Sequence, residues 1–117
     1  MNWNKLTSEA QIDQLIQESA EKPVLIFKHS TRCSISSMSL DRLLRNWKEE
    51  DSLEITPYYL DLIAYRSLSN LVAERFDISH ESPQVLLLKD GKVTYHESHY
   101  GISYAEIKSQ VAWFRIF

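Results

Sequence analysis

Cys33 is the single cysteine among 117 residues, so any chemistry its sulfur performs must involve a second molecule. It stands in the run Arg32-Cys33-Ser34-Ile35-Ser36. A two-cysteine C-x-x-C motif would carry a resolving thiol where this chain has Ser36, which rules out a dithiol cycle within the chain. One-thiol exchange remains: the Cys33 thiolate attacks a mixed disulfide, retains one half, and is released by another thiol. The bland alternative is a buried cysteine packing as a small hydrophobe, and the polar residues on both sides of Cys33 argue against it.

A free cysteine titrates near about 8.5, and a helix N-terminus with a neighbouring cation such as Arg32 lowers that value; a Cys33 so placed is expected to be partly ionised at neutral pH. Ser36 has two readings, a hydrogen bond to the sulfur or a cap on the free amides of a first helical turn. His29 is placed to tune or deprotonate the thiol, although a histidine ending a strand is more often a hydrogen-bonded structural residue. Ser82-Pro83 precedes an apolar run. A cis bond there leaves backbone groups of Ser82 for an extended substrate, whereas a trans proline only stiffens the loop. Asp61 relays protons if buried, and an exposed strand-end carboxylate is the simpler reading. His80, His96 and His99 share no spacing with Cys33 or with an acidic pair, so neither a protein-only metal site nor any other cofactor is expected.

These residues need elements to position them. Thr7 or Ser8 can cap a helix carrying Ile12, Leu15 and Ile16, which ends near Ala20 before Pro23. Val24-Leu25-Ile26-Phe27 is a short apolar run with the character of a strand buried on both faces. Leu40, Leu43, Leu44 and Trp47 then recur at i, i+3, i+4 and i+7, so a helix begins at or near Cys33. Glu54 to Asp61 is β-favouring, with Pro57 shifting it toward an edge or a strand end. Leu68, Leu71, Val72 and Phe76 mark a helix ending near Ile78. Val85–Leu88 and Val93–Glu97 flank Asp90-Gly91, a hairpin signal. Ser103-Tyr104-Ala105-Glu106 has capping-box form and opens a last helix with Tyr104, Ile107, Val111 and Phe114 inward. The aromatics Trp47, Tyr58, Tyr59, Phe76, Trp113 and Phe114 fall largely on apolar faces, as core packing requires. The order α-β-α-β-α-β-β-α is the thioredoxin layout: an α/β fold with a central four-stranded mixed sheet and helices on both faces. It places Cys33 where a strand feeds a helix, the position at which open α/β sheets bind ligands.

The composition suits one folded domain spanning residues 1–117, with 44% hydrophobic and 25% charged residues. With 13 basic and 16 acidic residues, net charge −3, there is no basic field to favour nucleic acid or an anionic membrane. No apolar run reaches membrane-spanning length, the N-terminus lacks a signal pattern, and a free thiol suits a reducing compartment, so a cytoplasmic location is expected.

The stretch Phe27-Lys28-His29-Ser30-Thr31-Arg32-Cys33-Ser34-Ile35-Ser36, together with Ser82-Pro83-Gln84-Val85-Leu86-Leu87-Leu88-Lys89-Asp90-Gly91-Lys92-Val93, resembles the monothiol bacilliredoxins, a general-stress thioredoxin-like family of Bacillus and Staphylococcus relatives. The resemblance covers nearly the whole chain. It implies removal of the small thiol bacillithiol from S-thiolated proteins, with Cys33 matching the nucleophile and Pro83 the cis-proline beside it. Arg32, Ser34, Ser36, Ser82 and Pro83, around the cysteine, are the expected substrate contacts, and S-bacillithiolated proteins with bacillithiol or another small thiol are the expected partners. The family commonly has Thr-Cys-Pro-Ile-Ser, whereas here Arg32 precedes the cysteine and Ser34 replaces the proline. Serine adds an amide N–H near the sulfur, so nucleophilicity and specificity are expected to differ.

Two alternatives from other classes remain open. One is an iron–sulfur module shared by two copies, in the manner of monothiol glutaredoxins, which the missing glycine after Cys33 weakens. The other is a non-catalytic stress adaptor, since a fold alone never establishes an activity.

Overall fold

One sheet with two apolar faces organises the chain, because its central strand is buried at every position. In the computed structural model, which describes the backbone of residues 3–116 and side chains through residue 112, that strand is β2 (Val24–His29). The remaining elements are β1 (Asn4–Lys5), α1 (Ala10–Glu18), α2 (Ser34–Asn46), α3 (Glu49–Glu54), β3 (Thr56–Asp61), α4 (Arg66–Phe76), β4 (Gln84–Lys89), β5 (Lys92–Ser98), a 3-10 turn (His99–Gly101) and α5 (Tyr104–Ile116). Strand order is β1-β3-β2-β4-β5; β1, β3 and β2 run parallel, while β4 is antiparallel to both β2 and β5.

Alternation along β2 divides the core. Val24 and Ile26 pack with Ile12, Leu15, Leu60, Val72, Leu86 and Leu88, which draws α1 and α4 onto one face. Leu25 and Phe27 pack with Leu43, Ile55, Val85, Leu87, Ile107 and Val111, which draws α2 and α5 onto the other. Each such fully buried aliphatic or aromatic side chain is worth roughly 1.5–3 kcal/mol relative to exposure. The Asp-Gly turn behaves as expected: Asp90 and Gly91 both have positive φ, 53° and 77°, and Gly91 donates to Ser19 Oγ at 2.8 Å.

Several expectations need correction. The sheet has five strands rather than four, because the two-residue β1 pairs with β3 at Asn4↔Tyr58 and Lys5↔Tyr59. So short a strand leaves no periodicity to detect. β3 is therefore not an edge, and Pro57 lies at the strand end as its second residue, opposite Leu25 of β2 and just before the positions that pair with β1. Glu54 closes the acidic helix α3 rather than opening β3. Thr7 and Ser8 do not cap α1 through their hydroxyls; Gln11 Oε1 reaches back to accept from both of their amides, at 2.7 and 3.0 Å. At α5 the Ser103 hydroxyl accepts from Glu106 N–H at 3.3 Å, as expected of a cap. The side chains of Trp113 and Phe114, expected in the core, lie outside the described residues.

Candidate active site

Cys33 is the N-cap residue of α2, with extended backbone (φ −114°, ψ 120°) and a half-buried side chain. Its N–H donates to Ser30 O at 3.2 Å and its C=O accepts from Ser37 N–H at 3.1 Å, which closes the first turn. Among the described residues no side chain caps this helix end, so Cys33 stands at the terminus where the free amides of a helix favour negative charge. Among the described residues the sulfur makes no hydrogen bond. Arg32 and Ser34 flank it and are exposed, with no side-chain partner among the described residues, so both are available to an approaching molecule.

Ser36 does not bond the sulfur. It is fully buried, its oxygen accepts from Ser30 N–H at 3.0 Å, and it lies 2.7 Å from His29 Nδ1. Burial lowers the His29 pKa more than the nearby Asp61 carboxylate raises it, so the ring is held neutral. The hydroxyl oxygen thus accepts from Ser30 and shares a hydrogen bond with His29 Nδ1, which ties the start of α2 to the end of β2. This also corrects the second reading of Ser36, since the amide it satisfies belongs to the preceding loop and not to the helix. His29 is likewise committed: it is 6% exposed, its ring centroid lies 5.7 Å from that of Tyr59, and no hydrogen bond joins it to Cys33. Both residues hold the site's shape from behind. Ser36→Ala would leave a buried N–H and a buried ring nitrogen unpaired, and a loss of about 1–3 kcal/mol is expected in urea unfolding.

The Ser82–Pro83 bond is cis, and Pro83 is buried at the entry to β4. Because β2 and β4 pair with Lys28 opposite Gln84, the register sets Pro83 beside the C-terminal end of β2, from which the Cys33 loop departs. Pro83 O accepts from His99 N–H at 3.0 Å, and Ser39 Oγ of α2 donates to His99 O at 3.3 Å, so the 3-10 turn bridges Pro83 and α2. Ser82 lies outside the ladder; its hydroxyl oxygen is buried with no hydrogen-bond partner among the described residues. Asp61 ends β3 opposite His29, and its Oδ1 accepts from the amides of Ile63 and Ala64 in the following turn at 3.0 and 3.2 Å. That role needs no proton relay.

Sequence reasoning passes over Lys28, whose ammonium is buried on the α4 face of β2; a cation inside an otherwise apolar strand was the available signal. It also passes over a groove of about 500 Å³ along α2, which His29, Ser37, Met38, Leu40, Asp41 and Leu44 line. Among the described residues no helix is long and apolar enough to cross a membrane.

Comparison with known proteins agrees with this geometry. A solved structure described as an oxidoreductase candidate with a thioredoxin fold is 31% identical, with a TM-score of 0.78 over 91% of this chain and 90% of its own. Poplar thioredoxin h is 15% identical with a TM-score of 0.71, covering 98% and 97%, and Malassezia sympodialis thioredoxin is 14% identical with a TM-score of 0.70, covering 96% and 90%. The last two show the fold alone. The profile of the family monothiol bacilliredoxin BrxC matches residues 4–107, which include Cys33, Ser82 and Pro83. Together these matches support a thiol oxidoreductase-like function, and the chain belongs to the monothiol bacilliredoxin BrxC family.

Proposed function

We propose that the protein removes bacillithiol from S-bacillithiolated proteins by monothiol–disulfide exchange at Cys33, in redox homeostasis under stress in the cytoplasm. One observation carries the reading: a half-exposed lone thiol at an uncapped helix N-terminus, with buried, hydrogen-bonded Ser36 where a resolving thiol would stand. The Cys33 thiolate attacks the bacillithiol sulfur of the mixed disulfide, and the substrate protein's thiolate leaves. A second small thiol, as thiolate, then attacks the bacillithiol sulfur bound to Cys33, which frees Cys33 and forms a small-molecule disulfide. Exposed Arg32 and Ser34 meet the incoming molecule from the cysteine loop, and the backbone of Ser82, set by the cis bond to Pro83, meets it from the facing loop.

The test compares release of bacillithiol and of glutathione from one test protein carrying either group, with excess reduced thiol present. Release of bacillithiol faster by roughly tenfold, about 1.4 kcal/mol of discrimination, is expected. Equal rates, or none for bacillithiol, would overturn the assignment of this substrate.

A further inference from the structure

Lys28 is fully buried, and its Nζ donates to Ser69 O of α4 at 3.1 Å and contacts His80 Nδ1 at 3.4 Å. Burial lowers its pKa to about 8, which leaves the amine mostly charged at neutral pH. An ammonium has donors only, so Nδ1 must be the acceptor and the His80 ring neutral. Partial desolvation of the ring of His80, an otherwise exposed residue, together with the positive charges of Lys28 and Arg66 lowers its pKa in the same sense, against Glu81, which raises it. Ser69 Oγ lies 3.3 Å from the same nitrogen. A methionine would fill much of the space without the desolvation cost of a buried cation, so the fold itself does not require lysine here.

His80 belongs to the loop of residues 77–83 that joins α4 to β4 and ends in Ser82 and Pro83. A second tie comes from Gln84, the cross-strand partner of Lys28, whose Nε2 donates to Ser79 O at 3.0 Å. We propose that Lys28 is a positioning residue for the exchange site: bonded to Ser69 O and His80 Nδ1, it clamps the 77–83 loop, and with it Ser82 and Pro83, against α4 beside the end of β2. What the loop presents to substrate rests on the exchange reading above; the clamp does not.

The experiment is amide hydrogen exchange of residues 77–83 in the full chain as wild type, Lys28→Met, His80→Ala and His80→Asn, with two rates measured beside it. These are bacillithiol transfer to Cys33 from a bacillithiolated protein and alkylation of Cys33 by iodoacetamide. Lys28→Met and His80→Ala are expected to speed exchange by roughly tenfold at Asp77 and Ile78, whose amides donate to Glu74 O and Ala73 O, through local opening. Transfer should slow in both, while alkylation stays unchanged. His80→Asn keeps an acceptor near the place of Nδ1 and should restore protection. In wild type, protection corrected for intrinsic rates should fall as pH drops below 6.5, because a protonated ring cannot accept from Lys28 and is repelled by it and by Arg66. His80→Asn should show no such fall. Unchanged protection in both Lys28→Met and His80→Ala, or the same acid loosening in His80→Asn, would refute the clamp. A wild type that accepted no bacillithiol would sink the exchange reading, while the protection data would still decide the clamp.

Discussion

Cys33→Ser is expected to reduce bacillithiol transfer to the uncatalysed background while leaving the protein as stable as wild type, or more so. Loss of activity follows because serine cannot form a mixed disulfide, and Ser36 offers no second sulfur. The stability side follows from geometry. The sulfur makes no hydrogen bond among the described residues and is half-buried, so little is lost with it. The backbone at position 33 already has the extended conformation of an N-cap, and serine is among the strongest N-cap residues. A hydroxyl there can accept from the free amides of α2, for a gain of about 0.5–1 kcal/mol. A cysteine thus occupies a place that the helix alone would give to serine, the trade expected at a functional site. Urea unfolding and a de-bacillithiolation assay of the two proteins check both halves.

The second large effect lies away from the site. Asp51 is buried near the start of α3, where its carboxylate accepts from Lys48 N–H at 2.8 Å, from Tyr104 OH at 2.6 Å and from Lys108 Nζ at 2.5 Å. These bonds fasten α5 to α3, and Lys108 also reaches Glu54 at 3.1 Å. The hydrogen bonds hold the Asp51 carboxyl below its ordinary value despite the opposing effect of burial, and the Tyr104 hydroxyl is pushed up to about 12 by burial and the adjacent carboxylate. Asp51→Ala leaves the Tyr104 hydroxyl and Lys48 N–H without their acceptor and removes one of the two carboxylates on Lys108, and a loss of about 3 kcal/mol is expected, the low end for a broken buried pair because Lys108 keeps Glu54 and partial access to water. Since the folded pKa of Asp51 is lowered, its contribution is full above the unfolded value of 3.8 and is lost as pH falls through the folded value. Urea midpoints at pH 7 and pH 3 should therefore converge in Asp51→Ala relative to wild type. A midpoint at pH 7 equal to wild type would show that the network contributes nothing.

Much of this arrangement was legible in one dimension. The buried strand before Cys33, the helix after it, the Asp90-Gly91 turn and the final helix all follow from period and turn chemistry, because in each the local pattern agrees with the tertiary demand. What escaped depends on contacts distant in sequence. β1 exists only because two residues find the edge of β3. α3 is an acidic segment whose one buried side chain is Asp51, so its stabilisation comes from α5 rather than from an apolar stripe. Ser36 could be placed on the first turn of α2, yet only the packing of that turn against β2 shows its hydroxyl facing His29 and not the sulfur. Lys28 was hidden for the same reason: its partners, Ser69 and His80, are 41 and 52 residues away.

The most direct test is intact-mass spectrometry of the wild-type protein and Cys33→Ser after each is mixed with a bacillithiolated test protein. The expected result is one added bacillithiol mass on wild type, none on Cys33→Ser, and matching loss from the test protein. If wild type took up no bacillithiol while Cys33 remained alkylatable, the exchange mechanism would be contradicted and the fold would be serving a contact role instead.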